Sequence, residues 1–367
     1  MSLRNTSELI SAGVLSIGDG YRAKNSELST NGYPFARAGN IKSGFQFDGA
    51  DCIAEEDIEK VKEKRSQPGD IVFTSKGTVG RFAYVTEDTQ PFVFSPQVCY
   101  WRVHDILTID NRWLYYWMHS KEFYAQVAAV KGQTDMADYV SLSDQRKFHI
   151  TVPPLREQRR IAGILSAFDD KIDLLRAQNR TLEGMAEALF RQWFVEERGD
   201  DWEEGQLGDL VSFNYGKSLP KRIRTGSGYP VYGSSGIDGY HEQKLVCGPG
   251  VITGRKGTIG IINYEYGSFF CIDTTYYITP KVLDPDLIYT FHLVSSIRLR
   301  EMNTDSAVPG LNRKNAESVN TILPPQSLIT SFNEIVGPFW KARSENNRNL
   351  ETAMNIRSTL IPKLITR

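Results

Sequence analysis

The sequence lacks long uninterrupted hydrophobic runs and has few cysteines, and each shortage argues against a class of protein. Its apolar stretches are short and interrupted, whereas a membrane-spanning helix needs ~20 apolar residues in succession. The N-terminal residues have no apolar core of the secretory-signal type. The four cysteines are scattered without a Cys-x-x-Cys spacing, which argues against a zinc ribbon and a disulfide scaffold. We therefore expect reduced thiols in a cytoplasmic protein.

The chain also lacks an excess of positive charge. It carries 43 basic and 44 acidic residues, for a net charge of −1, whereas a protein that binds DNA by itself usually shows a basic excess. Any affinity for DNA must therefore come from local basic patches or from a partner. The length of 367 residues is too great for one ordinary core and sufficient for two.

An internal repeat organises the sequence. Four motifs occur twice in the same order, and the separation between the two copies shrinks along the chain. The matches are Gly32-Tyr33-Pro34 with Gly228-Tyr229-Pro230, Lys76-Gly77-Thr78 with Lys256-Gly257-Thr258, Val152-Pro153-Pro154 with Leu323-Pro324-Pro325, and Asn179-Arg180-Thr181-Leu182-Glu183 with Asn347-Arg348-Asn349-Leu350-Glu351. The first copy is longer between its first two motifs, and residues 55–64 there predict an inserted surface helix.

Each copy combines a β-rich part, here called a head, with a long helix. Short β-branched and aromatic runs bounded by Gly and Pro predict strands, and Trp113 to Val130 and Asp286 to Met302 predict a further helix in each head. We therefore predict an α+β fold with a pseudo-twofold internal repeat. The predicted boundaries are 1–152 for the first head, 153–198 for the first long helix, 199–323 for the second head and 324–367 for the second long helix.

The two long helices are predicted by apolar residues that recur in steps of three and four, the pattern of a coiled-coil seam. The first seam consists of Ile161, Leu165, Phe168, Ile172, Leu175, Leu182 and Leu189. The second consists of Phe332, Val336, Phe339, Leu350, Met354 and Ile361. Antiparallel pairing would bury both seams and place the heads at opposite ends. A helix of ~40 residues is about 60 Å long, enough to hold two heads one DNA turn apart.

Polar residues and helix breakers modify these seams. Arg343 and Arg357 interrupt the second seam, and Gly337-Pro338 predicts a kink or a restart there. Asn179 occupies a seam position in the first helix. A buried Asn fixes the register of a coiled coil, but an Asn at a solvated part of the seam fits the pattern equally well.

The run from Val152 to Ile161, Val-Pro-Pro-Leu-Arg-Glu-Gln-Arg-Arg-Ile, resembles the start of the long helix in specificity subunits of Type I restriction–modification systems. The resemblance covers essentially the whole chain. It implies that each head is a target-recognition domain for one half of a split DNA site. It also implies that the helices form an antiparallel coiled coil, which fixes the gap and docks two methylation subunits, with restriction subunits joining later. S-adenosylmethionine, ATP and Mg would then bind to partners and not to this chain.

By the same resemblance, Glu157 and Gln158 are expected to contribute to subunit docking together with the two seams. The second helix departs from the pattern, because its start reads Pro324-Pro325-Gln326-Ser327-Leu328 and lacks the Glu-Gln pair. The resemblance therefore does not imply that both helices dock their partners equally.

Candidate DNA-binding residues fall into three groups. The Lys-Gly-Thr loops offer a lysine and a hydroxyl to phosphate, although a tight turn explains their glycines better. A basic stretch that follows Tyr215 is not a P-loop, since Val211 stands where the motif requires glycine. Polar loop residues can contact bases, although a solvated loop is the more probable interpretation for any one of them. The candidates are Lys76, Thr78, Lys256 and Thr258 in the loops; Tyr215, Lys217, Lys221, Arg222 and Arg224 in the basic stretch; and Arg37, Asn40, Lys131, Gln133, Thr134, Tyr232, Ser234 and Asn303 elsewhere.

Neither a catalytic residue nor a metal ligand is predicted. A DNA methyltransferase is the enzyme alternative, but it needs an Asn/Asp-Pro-Pro-aromatic run, and Val152-Pro153-Pro154-Leu155 lacks both the polar first residue and the aromatic last one. The sequence also offers no glycine-rich cofactor loop. A non-catalytic coiled-coil scaffold and the recognition subunit of a Type II system remain open as alternatives.

Overall fold

The computed structural model describes residues 2–42, 44–130, 139–303 and 309–365. The chain forms two compact units. The first combines residues up to Ile172 with those from Thr352 onward, and the second comprises Asp173–Glu351. Each unit therefore contains one head and parts of both long helices. None of the helices in the described ranges is long and apolar enough to cross a membrane.

The first unit is mostly β-structure with short helices. Its strands are β1 (Ser2–Asn5), β2 (Leu15–Asp19), β3 (Leu28–Ser29), β4 (Tyr33–Ala36), β5 (Ile41–Lys42), β6 (Gly44–Phe45), β7 (Cys52–Ile53), β8 (Ile71–Thr74), β9 (Phe82–Tyr84), β10 (Val93–Phe94), β11 (Val98–Val103) and β12 (His149–Val152). Its helices are α1 (Thr6–Ser11), α2 (Asn111–Trp117), α3 (Lys121–Val130), α4 (Leu142–Gln145) and the start of α5 (Leu155–Arg191).

The main sheet of the first unit is antiparallel and runs in the order β2-β11-β8-β9. A second sheet, β10-β4-β7-β3, contains a parallel pair between β10 and β4. The strand β8 is buried along its whole length, as expected for a short apolar run between two neighbours. Helix α2 begins where the Asp110 side chain accepts a hydrogen bond from the Trp113 amide, a standard N-cap.

The second unit repeats this plan. Its strands are β13 (Glu203–Gln206), β14 (Val211–Tyr215), β15 (Tyr229–Gly233), β16 (Gly236–His241), β17 (Gly250–Gly254), β18 (Ile262–Glu265), β19 (Phe270–Cys271), β20 (Thr275–Pro280) and β21 (Asn320–Leu323). Its helices are α6 (Leu207–Leu210), α7 (Ile288–Ser296), α8 (Arg313–Glu317) and most of α9 (Gln326–Ile365).

Sheet topology confirms the repeat. The main sheet of the second unit, β14-β20-β17-β18, has the same antiparallel order as that of the first. The pair β13-β21 matches β1-β12, and the parallel pair β15-β19 matches β4-β10. The predicted α+β class is therefore confirmed, and these strand pairings are made twice, while β3-β7 and β5-β6 occur in the first unit alone among the described residues.

Each core is completed by the long helices. In the first unit, Trp101, Trp113 and Trp117 pack in one cluster with Ile161 of α5 and Ile361 of α9. In the second, the corresponding cluster includes Phe190 of α5 and Phe332 of α9, whose ring centroids are 5.9 Å apart. The helices are therefore parts of the folded cores and not separate spacers.

Within each unit, the segments of α5 and α9 run antiparallel. In the second unit, Asn179 contacts Asn347, and Glu183, further along α5, contacts Arg343, earlier in α9. In the first unit, Asp169 contacts Arg357 at 2.8 Å. The arginines that interrupt the apolar seam are thus ion-pair partners of the facing helix. Asn179 donates to Asn347 at 2.8 Å and accepts from Asn346 at 3.0 Å, which favours the interpretation that it fixes the register.

Three details differ from the sequence predictions. Helix α9 continues through Gly337-Pro338 without interruption, so the predicted restart is wrong. The flanking Val336 and Trp340 are buried, and their packing holds the helix where Pro338 cannot donate a hydrogen bond. Residues Glu55–Lys64 form 3-10 turns. The helix predicted from Trp113 to Val130 is broken at Met118–Ser120 into α2 and α3.

Candidate nucleic-acid interface

A basic cleft of about 520 Å³ lies in the second head. Its cationic residues come from two segments that are distant in sequence, the loop after β17 and the start of α8. Two tyrosines from neighbouring strands, Tyr215 of β14 and Tyr276 of β20, form part of its wall. The lining consists of Tyr215, Arg255, Lys256, Tyr276, Gly310, Leu311, Asn312, Arg313, Lys314 and Glu317.

Backbone hydrogen bonds hold the two segments together. The Arg255 and Lys256 amides donate to the Thr274 carbonyl at 2.8 and 3.1 Å, and the Leu311 amide donates to the Arg255 carbonyl at 2.9 Å. Gly257 has a φ of +85°, a value that only glycine adopts easily, so the Lys-Gly-Thr motif makes the tight turn expected of it. The turn directs Lys256, which is exposed, to the cleft.

The Arg255 side chain is ordered before any ligand arrives. Its guanidinium lies 5.1 Å from the centre of the Tyr215 ring and donates to the Asp273 carbonyl at 2.9 Å. Tyr276 lies behind, with its hydroxyl donating to the Leu311 carbonyl at 3.2 Å, and burial raises the pKa of Tyr276 to about 12. The Tyr276 hydroxyl therefore stays neutral near pH 7 and adds no negative charge to the cleft.

Positive charge dominates the cleft. Arg313 pairs with Glu317 at 2.9 Å, and Glu317 also accepts from the Phe213 amide at 3.0 Å. Across the described residues, no carboxylate forms an ion pair with Arg255, Lys256 or Lys314. The cleft therefore holds three cations without a carboxylate partner, on a chain whose net charge is −1.

The corresponding place in the first head has a different chemistry. Lys76 is present, but Ser75 stands where the second head has Arg255, and Leu142 and Ser143 stand where it has Arg313 and Lys314. Ser75 contacts the buried Cys99 sulfur at 3.1 Å, and Gln145 donates to the same sulfur at 3.4 Å. The two heads therefore share a scaffold and differ in the residues that line this position.

The sequence candidates separate by exposure. Of the candidates that the structure describes, Tyr215 and Lys256 alone line the cleft. The exposed candidates are Arg37, Lys76, Thr78, Tyr215, Lys217, Lys221, Arg222, Lys256 and Asn303; the half-buried ones are Asn40, Arg224, Ser234 and Thr258. Lys131, Gln133 and Thr134 lie outside the described residues.

Several of the candidates already bind within the chain. Arg37 pairs with Asp51 at 2.5 Å. The Asn40 amide accepts from the Arg37 backbone at 2.8 Å and donates to the Gln46 carbonyl at 2.9 Å. Arg224 is only 8% exposed and pairs with Asp238 at 3.0 Å. These side chains stabilise turns, which leaves them less available to a nucleic acid.

Tyr232 was a wrong prediction. It is 5% exposed and donates its hydroxyl to Glu265 at 2.8 Å. Burial, with the nearby carboxylate, raises the pKa of Tyr232 above its usual range. Tyr232 packs with Ile252, Phe269 and Cys271 in a buried cluster, so its side chain does not lie on the surface that DNA would contact.

Sequence reasoning missed Arg255, Arg313 and Lys314. A usable signal was present: the dipeptides Arg255-Lys256 and Arg313-Lys314 are paired cations in a chain without a basic excess. The sequence did not show that these two dipeptides lie close together, because more than fifty residues separate them. They meet through the bridge between Lys256 and Gly310 and the hydrogen bond from the Leu311 amide to the Arg255 carbonyl.

The helix residues predicted for docking are mostly internal. The buried members are Ile161, Leu165, Ile172, Leu175, Phe332, Val336 and Ile361; the half-buried members are Phe168, Asn179, Leu182, Leu189, Phe339 and Leu350. Met354 is 42% exposed while Ala353 is 7% exposed, so its assignment to the seam is wrong. A heptad repeat assumes 3.5 residues per turn, whereas a straight α-helix has 3.6, so the predicted seam positions move away from the buried face along the helix.

The Glu-Gln pair has a structural role at the start of α5. Gln158 is 1% exposed, accepts from the Asp110 amide at 2.8 Å, and donates to the Thr108 and Pro153 carbonyls at 3.1 and 2.9 Å. The prediction that Gln158 contacts a partner is therefore wrong. Glu157 is half-buried and pairs with Arg160 at 2.6 Å.

The second helix reaches the same result with a different residue. Gln326 accepts from the Leu283 amide at 3.0 Å and donates to the Leu283 carbonyl at 2.9 Å. In both units, a glutamine in the first turn of the long helix thus binds the loop between the main sheet and the short helix of the head. Gln158 binds the loop before α2, and Gln326 binds the loop before α7.

Comparisons with known proteins place this fold in a defined class. The family profile described as "Type I restriction modification DNA specificity domain" matches residues 12–184 and 199–329. The Type I restriction enzyme MjaIX specificity subunit of Methanocaldococcus jannaschii is 22% identical over 360 residues, covering 85% of this chain and 80% of that protein. The putative type I restriction enzyme specificity subunit S.HindORF215P of Haemophilus influenzae is 31% identical over 150 residues, covering 40% of this chain and 35% of that protein.

Among solved structures, the S subunit of a Type I restriction–modification system from M. genitalium matches with a TM-score of 0.66 at 18% identity. The match covers 99% of this chain and 96% of the other, and it supports the fold. Two repeated α+β units, each completed by the long helices, are the architecture that the two proteins share. The chain belongs to the Type I restriction–modification DNA specificity family and carries the domain twice; it is a DNA sequence-recognition subunit.

Proposed function

We propose that this chain is the non-catalytic specificity subunit of a Type I restriction–modification enzyme. Each head recognises one half of a split DNA site, and the helices fix the gap and dock two methylation subunits, with restriction subunits joining the assembly in the cytoplasm. S-adenosylmethionine, ATP and Mg bind to those partners. The observation that carries the DNA-binding proposal is the concentration of Arg255, Lys256 and Lys314 in one cleft of a nearly neutral chain.

Phosphate groups fit the chemistry of the cleft. Arg255 presents a planar fork of donors held by Tyr215 and Asp273, and such a fork matches the oxygens of a phosphate. Lys256 and Lys314, which line the same cleft, add point charges. Contacts of this kind position a protein on a duplex without reading its sequence. Base contacts must then come from side chains that differ between the heads.

The cleft is tested by the salt dependence of DNA binding. In the complex with methylation subunits, the triple variant Arg255→Ala, Lys256→Ala, Lys314→Ala should bind duplex DNA more weakly whatever its sequence. Its slope of log K against log salt should be shallower by about 2 to 3, since each phosphate contact contributes ~0.9. Fluorescence anisotropy at several salt concentrations measures both. The control is Lys121→Ala, an exposed lysine of α3 outside the cleft, and an unchanged slope in the triple variant would contradict the proposal.

A second experiment tests the dependence on partners. Because the chain has a net charge of −1, we expect weak DNA binding by the chain alone and tighter binding when methylation subunits add basic surface. Gel shifts with and without those subunits provide the comparison. Equal affinity in the two series would show that the partners are not needed for binding.

The absence of catalysis is tested directly. The purified chain, incubated with labelled S-adenosylmethionine and mixed DNA, should transfer no label, while the chain with its methylation subunits should do so. Clear transfer by the chain alone would overturn its assignment as a non-catalytic subunit.

A further inference from the structure

In each unit, an exposed leucine lies in the loop between the main sheet and the helix that follows. Leu107 lies between β11 and α2 and is 72% exposed; Leu283 lies between β20 and α7 and is 67% exposed. Strands β11 and β20 hold the same position in their sheets. The two leucines therefore occupy corresponding loops of the repeat.

Ile106, next to Leu107 in the same loop, is also 56% exposed, and the other exposed apolar side chains of the described residues do not recur in this way. Met185 is 46% exposed, but the repeat matches it to Ala353, which is buried. Ile237 is 52% exposed, but it is matched to Ile41, which is fully buried. A single exposed leucine needs no explanation. An exposed leucine in the same loop of both copies, when other exposed apolar positions have diverged, does need one.

The loops that carry the two leucines are also held by the long helices. The Leu283 amide and carbonyl bind the two ends of the Gln326 side-chain amide. The Leu107 amide donates to Asp105 at 3.0 Å, and the residue after it, Thr108, is bound by Gln158. The backbone of each loop is thus fixed before any partner binds, which reduces the conformational entropy lost on association.

We propose that Leu107 and Leu283 are matching anchors at which two copies of the methylation subunit dock, one on each head. This inference rests on the proposed function, in which two such subunits bind the chain. Two identical partners require the same surface twice, whereas surfaces that meet different half-sites must differ. The cleft shows that difference, because Arg255 and Arg313 of the second head are replaced by Ser75 and Leu142 in the first.

The partner is expected to offer an apolar pocket to each leucine. Charged replacements should therefore abolish docking without disturbing the fold, since both side chains are exposed. Leu107→Asp should remove one methylation subunit from the complex, Leu283→Asp the other, and the double variant both. We expect each substitution to weaken binding at its own head at least tenfold, the loss typical of an interface anchor.

The measurement is the stoichiometry of the full-length chain with its purified methylation subunit, by mass photometry across a concentration series. Ile237→Asp is the matched control, since it places the same charge at an exposed position that the repeat does not share. Circular dichroism melting shows whether each variant is folded. The conservative variants Leu107→Met and Leu283→Met should retain binding.

The outcomes separate the two levels of the proposal. If the unmodified chain binds two methylation subunits and the folded double variant binds them equally well, the anchor assignment is overturned and the proposed function stands. If the unmodified chain binds none, the proposed function itself fails, and the anchors fail with it.

Discussion

At the residue scale, Gln158 joins the first turn of α5 to the loop before α2 through three hydrogen bonds while almost fully buried. Leucine at this position would leave the Asp110 amide and two carbonyls without partners. We expect Gln158→Leu to lower the free energy of unfolding by about 2–4 kcal/mol, because each buried unpaired group costs about 1–3 kcal/mol. Urea unfolding measures the loss.

The control is Arg159→Leu, one residue further along α5, where the side chain is exposed. It should change the free energy of unfolding by less than about 0.5 kcal/mol. Similar losses for the two variants would contradict the role assigned to the Gln158 amide.

Two histidines, the half-buried His119 and the buried His292, give the protein a pH dependence. Burial lowers the pKa of His119 in the first unit and of His292 in the second to about 4, from a usual value of 6.5. The folded state therefore binds fewer protons than the unfolded chain between these values. Stability is complete above pH 6.5 and is lost as the pH falls towards 4, by up to about 3 kcal/mol for each histidine.

The variant His292→Phe isolates one contribution. The imidazole packs among Phe190, Phe332 and Trp340, so a phenyl ring suits its surroundings. The free energy of unfolding, measured at pH 7.5, 6 and 5, should fall less steeply in the variant than in the unmodified protein. Parallel curves would show that His292 is not responsible.

Sequence alone does not distinguish residues that bind DNA from residues that stabilise the fold. Asn40 and Tyr232 satisfied the chemistry of base contacts, but the structure uses one to stabilise a turn and buries the other. Arg255 was not predicted to bind DNA, because its counterpart in the repeat is Ser75 and its neighbours in the cleft come from a distant segment. A residue type states which contacts are possible, and only the fold determines which are made.

At the scale of elements, the pair between Arg343 of α9 and Glu183 of α5 links the two helices at 2.5 Å. Both side chains are partly exposed, at 22% and 45%, so we expect the pair to contribute only about 1 kcal/mol. Arg343→Glu should lower the melting temperature by placing two carboxylates together, and adding Glu183→Arg should restore most of it. Failure of the second change to rescue the first would mean that Arg343 acts through its contact with Trp340.

The long helices were the elements best predicted from the sequence, because a seam of apolar residues repeats many times over their length. Predictions for single positions in these helices were less accurate. Gly337-Pro338 predicted a restart, yet packing of Val336 and Trp340 carries α9 through it. The Glu-Gln pair suggested a partner contact, yet Gln158 and Gln326 both bind loops of their own unit. Local preference is overridden wherever tertiary packing is dense.

At the scale of the whole molecule, the repeat predicts independent recognition by the two heads. Replacing residues 1–152 with the first head of another family member should change one half of the methylated site and leave the other half unchanged. Mapping of modified adenines in cells that carry the chimera measures this. A change in both halves would show that the heads do not act independently.

The repeat was also the feature that made the whole fold predictable. Four short motifs in one order were enough to predict two heads and two helices, and the matching sheet orders bear this out. The chemistry of each head was not predictable in the same way, because the repeat marks what the copies share, and the cleft lies where they differ.

The hydrogen bond between Asn179 and Asn347 joins a residue to its own counterpart in the repeat. A contact of that kind is what a two-fold homodimer makes across its axis. An ancestor with one head and one helix would thus already have possessed this interface as a dimer, and fusion of two gene copies would have required no new contact. Such a dimer is restricted to palindromic sites. Two heads in one chain need not be identical, so the site that they recognise can be asymmetric.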